Sequence, residues 1–187
     1  MHQTKRRFVG VDIDKACHMK KVAIFGNAGG GKSTLAKRLA DLTQLPLYSL
    51  DMMLFRAGWG EISHEEVEKV CADLLRQDKW IIDCCTCADF AWQQADTLIY
   101  IDLPLITHYW WVTKRLIKGL FVTPLGWPER SPLWRCSMNS YRYLLVFHRQ
   151  EIPKYRQLVA DAAASKRIHH LKSSAEMRAF LGSIKRE

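Results

Sequence analysis

At 187 residues, with 48 % hydrophobic and 25 % charged side chains, the chain has the size and composition of one globular domain, and no apolar run approaches the roughly 18 residues of a membrane span. The net charge of +9 is uneven: residues 1–21 carry six Lys and Arg against two acids, residues 113–156 nine against two, and 22–112 are acidic by five. The basic opening lacks the apolar centre of a secretory signal, and six cysteines in a chain of this length do not form the framework of a small disulfide protein, so the composition points to a cytoplasmic protein with reduced thiols.

A start at Met19 would set the first strand at the head of a single domain spanning 19–187, so residues 1–18 read equally as a basic extension or arm, ordered or not, and as a mis-called start. The apolar run 21–25 is a buried strand, and Gly26, Asn27, Ala28, Gly29, Gly30, Gly31, Lys32, Ser33 and Thr34 follow it as a phosphate-binding loop, G-x4-G-K-S. Glycines at 26 and 31 let the backbone curl so that successive N–H groups face one concavity. Lys32 is then placed to reach the β- and γ-phosphates of ATP, Ser33 offers a hydroxyl to Mg²⁺, and the following helix adds its positive N-terminus.

A second short strand, 46–50, ends at Asp51. Ser63 and Glu66 form a capping box that opens a helix through Leu75. Segments 79–83 and 97–102 are further buried strands, 104–119 an amphipathic helix, 123–132 a proline-rich loop, and 136–164 a helix kinked near Pro153. A fifth strand at 167–171 and a helix at 173–181 close the chain. This alternation predicts an α/β P-loop NTPase fold in three layers, a five-stranded parallel sheet in the manner of nucleoside and nucleotide kinases, with a helical lid over about 120–137.

Ligands of such a sheet bind at the carboxyl ends of its strands, where the P-loop, Asp51 and Asp83 all fall. Asp83 and Asp102 each end an apolar strand; Asp83 is the preferred magnesium partner, since Asp102 leads into a helix start that favours an acid in any case. Asp51 either orients or deprotonates an acceptor hydroxyl or caps the helix it precedes. Arg56 and Trp59 offer an anion clamp and a stacking surface, and Cys84 stands on the acceptor side. Arg135, Arg142, Arg149 and Arg156, spaced by seven, form a helical stripe that with Lys114, Arg115 and Lys118 could close over a triphosphate; Arg115 and Arg142 are the strongest candidates for catalysis. The rival reading is a solvated face.

With those residues located, the chain resembles adenylate-kinase-like P-loop proteins, and among them the bacterial DNA topology modulation proteins, over roughly 19–181. The resemblance rests on GNAGGGKSTLAKRLA, on LPLYSLDMMLFRAGW, on WIID and on ADTLIYIDLP followed by a basic helix. It departs at Cys84-Cys85-Thr86, where that group continues with Gly-Asn and an aromatic residue. The residues and the resemblance together imply an ATP- and Mg²⁺-dependent phosphotransferase acting on a small acceptor. The alternative is a nucleotide-binding regulatory protein affecting DNA topology or gene expression without turnover, although no DNA- or RNA-reading motif is visible in the sequence.

Overall fold

The computed structural model describes residues 19–57, 60–84, 89–119 and 133–184. Five strands, β1 (Lys21–Gly26), β2 (Leu47–Ser49), β5 (Trp80–Asp83), β6 (Thr97–Ile101) and β7 (Arg167–Leu171), form one all-parallel sheet in the order β2-β5-β1-β6-β7. A two-stranded antiparallel hairpin, β3 (Phe55–Arg56) and β4 (Gly60–Glu61), stands apart from it. The helices are α1 (Lys32–Thr43), α2 (Leu50–Leu54), α3 (His64–Leu75), α4 (Asp89–Gln94), α5 (Leu105–Gly119), α6 (Leu133–Gln150), α7 (Ile152–Ala162) and α8 (Ser174–Ser183).

Successive side chains of β1 point to opposite faces, and this alternation divides the core. Val22 and Ile24 join an aliphatic layer with Leu35 and Leu39 of α1 and Met177 and Phe180 of α8. Ala23 and Phe25 enter an aromatic layer with Trp92 of α4, Tyr100 of β6, Phe147 of α6 and Tyr155 of α7. Phe25 lies at its centre, 4.0 Å from Trp92 and 5.0 Å from Tyr100 between ring centroids. It is wholly buried, so truncation to Ala would cost about 3–5 kcal/mol in lost burial and cavity.

β1 is central, and the chain crosses from β5 on one side of it to β6 on the other. The crevice of a parallel sheet opens where the strand order reverses in this way, so the P-loop leaves β1 at that point. Gly26 and Gly31 have φ of 140° and 77°, conformations closed to most side chains. A Cβ on Gly26 would also collide with the Ile101 carbonyl of β6, so the tightness of the turn is set by the neighbouring strand.

The expected kinked helix over 136–164 is two helices. α6 ends at Gln150, the chain turns at Glu151, and α7 starts with Pro153 in its first turn, where a missing N–H leaves nothing unpaired. Arg156 therefore leaves the expected stripe and lies on α7. The capping box has the expected pairing: Ser63 Oγ accepts from Glu66 N at 3.2 Å, and Ser63 N donates to the Glu66 carboxylate at 2.9 Å. Residues 1–18, Trp59, Cys85 and 120–132 of the expected lid lie outside the described residues, and 133–137 begin α6. No described helix is long and apolar enough to cross a membrane.

Candidate active site

Three strand ends converge on the P-loop. Lys32, in the first turn of α1, is 7 % exposed, and its Nζ donates to the Asn27 carbonyl at 2.9 Å, so the ammonium arches back over the loop. Ser33, next to it, hydrogen-bonds the carboxylate of Asp83, the last residue of β5. Burial raises the Asp83 carboxyl above its ordinary value, against the opposing charge of Lys32 and the bond from Ser33.

Asp51 follows β2 in the short helix α2 and is electrostatically coupled to the same group. Burial pushes its carboxyl up to about 6, with Lys32 pulling it down, Asp83 pushing it up and Arg115 pulling it down. Lys32, Ser33, Asp51, Asp83 and Arg115 thus form one constellation on four elements. Arg115 is partly buried on α5, its Nη2 donating to the Ser140 hydroxyl of α6 at 3.1 Å.

Other candidates stand apart. Arg142 is exposed on α6. Arg56 forks onto both oxygens of Glu66, each at 3.2 Å, and so serves the α3 cap before any ligand. Cys84 is 1 % exposed within the aromatic layer, and its thiol donates to the Ile24 carbonyl at 3.4 Å. Its side chain faces the core rather than an open acceptor surface. Asp102, also buried, is held by Arg156 and by His170 Nε2 at 2.9 Å, which leaves its carboxylate engaged away from the P-loop.

Sequence reasoning missed the part of α5 that touches the loop. His108 Nδ1 lies 2.8 Å from the Ala28 carbonyl. A Cβ on Gly29 would come within 2.6 Å of Val112 and one on Gly31 within 2.7 Å of Trp111. Trp111 also walls a cavity of about 440 Å³ with Gly31, Thr34, Arg38, Met177 and Arg178. The signal was available: β6 pairs with β1, so the helix that follows β6 must begin beside the loop that follows β1.

The glycine cradle, the ammonium of Lys32 and the hard oxygen donors of Ser33 and Asp83 fit a phosphate chain with a magnesium ion. In overall structure the chain is similar to shikimate kinase from Acinetobacter baumannii in complex with shikimate, with a TM-score of 0.57 and 15 % identity over 92 % of this chain and 94 % of that one. Weaker likenesses are to TT1252 from Thermus thermophilus, with a TM-score of 0.49 and 13 % identity over 87 % and 96 % of the two chains, and to deoxyadenosine kinase from M. mycoides with bound dCTP, with a TM-score of 0.39 and 11 % identity over 86 % and 96 %. No family profile matches the chain, and no curated protein matches it by sequence. What the likeness to shikimate kinase shows is architecture: this chain has the α/β fold of a P-loop kinase, a five-stranded parallel sheet with its phosphate-binding loop on the central strand.

Proposed function

We propose that the protein is a phosphotransferase that moves the γ-phosphoryl group of ATP to a hydroxyl of a small acceptor. The observation that carries this reading is the placement of Asp51 just beyond β2, whose Ser49 pairs with Asp83 at the end of β5, so that its carboxyl lies within electrostatic reach of Lys32, Asp83 and Arg115 at the mouth of the P-loop. Nucleotide binding alone needs the loop and its lysine. A carboxylate placed beside them just after the second strand suits acceptor chemistry.

The phosphates lie in the cradle of residues 26–34, and the base enters the cavity beside Trp111, whose volume suits a purine-sized ligand. Ser33 and Asp83 are the residues that would hold magnesium, which neutralises charge on the phosphate oxygens. Lys32 follows the transferred group, and Arg115 adds positive charge where it develops. Asp51 orients the acceptor hydroxyl and receives its proton as the new O–P bond forms and the bond to the leaving ADP breaks. A carboxyl titrating at about 6 is ionised at neutral pH yet still basic enough for that task.

Incubating the protein with ATP, Mg²⁺ and a panel of nucleosides, nucleotides and small hydroxylated metabolites tests the reading. Acceptor-dependent ATP consumption supports it. Tight ATP binding without turnover on any acceptor overturns it in favour of nucleotide sensing.

A further inference from the structure

We propose that His108 is a positioning residue for phosphate binding, fixing the Ala28 peptide of the P-loop and with it the direction of the N–H groups that follow. The proposal rests on the reading of residues 26–34 as a nucleotide phosphate site.

His108 lies in the first turns of α5 and is 1 % exposed. Its Nδ1 is 2.8 Å from the Ala28 oxygen; a carbonyl only accepts, so the Nδ1 carries the proton and the tautomer is set. The other polar group of the same residue is also held: Ala28 N donates to Asn27 Oδ1 at 2.8 Å, and Asn27 Nδ2 donates to the Leu144 carbonyl of α6 at 3.3 Å. Ala28 is thereby gripped from α5 on one side and, through Asn27, from α6 on the other. The imidazole also occupies the space behind the loop, since a Cβ on Gly30 would come within 3.1 Å of its Cε1.

Burial holds this imidazole neutral, at about 4, with the Ala28 bond and a smaller contribution from the Leu103 backbone opposing that shift and the charges of Lys32 and His148 reinforcing it. Neutrality leaves Lys32 as the cation that meets the phosphates. A histidine that merely fills the core needs a partner for one nitrogen. This one spends its donor on the backbone of the loop that does the binding, one residue before the three consecutive glycines.

Two variants separate the donor from the volume. His108→Leu keeps an apolar filling but leaves the part-buried Ala28 carbonyl without its imidazole partner, whereas His108→Asn presents an amide N–H near the place of Nδ1. In the protein without nucleotide, amide exchange of the segment 26–34 is expected to quicken by about tenfold in the Leu variant and to return toward the parent rate in the Asn variant. The Kd for a non-hydrolysable ATP analogue with Mg²⁺ should rise by about tenfold in His108→Leu and recover to within about threefold in His108→Asn, at a temperature where all three proteins are folded. Unchanged exchange and unchanged affinity in His108→Leu overturn the proposal, as does an Asn variant that behaves like Leu, which would mark His108 as packing alone. A parent protein that fails to bind the analogue overturns the nucleotide reading instead, and the exchange measurement still decides whether His108 holds the loop.

Discussion

Arg156 lays its guanidinium across Asp102, Nε to Oδ2 at 3.0 Å and Nη2 to Oδ1 at 3.1 Å, so that α7 is pinned to the end of β6 by a two-pronged bond. Burial alone would raise the Asp102 carboxyl, but the hydrogen bonds from Arg156 and His170 outweigh it and hold the group below its ordinary value. Asp102 and Asp83 look alike in sequence, each ending an apolar strand, and differ in what meets them. Asp102→Asn is expected to lower stability by about 1–3 kcal/mol, read as a fall in Tm, with little change in magnesium demand. Asp83→Asn should do the reverse, raising the Mg²⁺ concentration needed for half-maximal turnover. An Asp102 variant with the stronger magnesium phenotype would exchange the two roles.

Lys32→Ala removes the ammonium that arches over the loop and is expected to reduce turnover by about 10²–10³-fold. Steady-state rates with a responsive acceptor test this. A variant with parental rates would place the phosphate site elsewhere.

On the proposed reaction, Asp51 would set stability against activity. Its carboxyl titrates near 3.8 when unperturbed and at about 6 in the fold, so the folded chain binds the extra proton between those values. Its stabilising contribution is complete below the lower value and is lost as pH rises through the higher one. Asp51→Asn should therefore raise Tm at about pH 7.5 and leave it nearly unchanged at about pH 3.5, while abolishing phosphotransfer. In the parent, turnover should fall on the acid side with a midpoint near 6. A Tm difference of the same size at both pH values would show that ionisation of Asp51 is not its source.

On the proposed placement of the base, a Trp111 variant separates base from phosphate recognition. Trp111→Ala is expected to weaken ATP by about tenfold, through loss of stacking area, and to weaken inorganic triphosphate much less. Competition binding with the two ligands reads the difference, and equal losses would confine Trp111 to shaping the loop.

His169 is expected to contribute to acid lability. Burial, and then the charge of Arg167, lower it to about 4 from 6.5. The stability that this neutral ring contributes is present above 6.5 and is lost as pH falls toward 4. His169→Leu should flatten the fall in Tm over that interval. A curve as steep as the parent's would assign the lability to other groups, such as His108.

The five strands were legible because each is an apolar run bounded by polar or turn residues, and the P-loop because its glycines and Lys32 stand at fixed spacing. Strand order was not, because hydrophobicity says that β5 is buried but not that it inserts between β1 and β2. The break at Glu151 was hidden because Pro153 at a helix start and Pro153 inside a kink read identically in sequence. Cys84 appeared to face the acceptor because it follows Asp83, yet strand alternation turns it to the opposite side, into the aromatic layer. His108 was passed over because a histidine on an amphipathic helix carries no signal until the neighbouring loop is placed beside it.

Strand order has one more consequence. The phosphate-binding loop hangs from β1, whose Val22, Ala23, Ile24 and Phe25 are wholly buried and which is flanked by β5 on one side and β6 on the other, whereas Asp51 hangs from β2, three residues long and at the sheet's edge. Altering β1 disturbs both core layers at once; altering β2 disturbs one margin. The molecule is therefore unequally open to change: on the proposed reaction, handling of the phosphate donor would be bound up with folding, while choice of acceptor would sit at a border where substitutions can accumulate and be sorted without unmaking the protein.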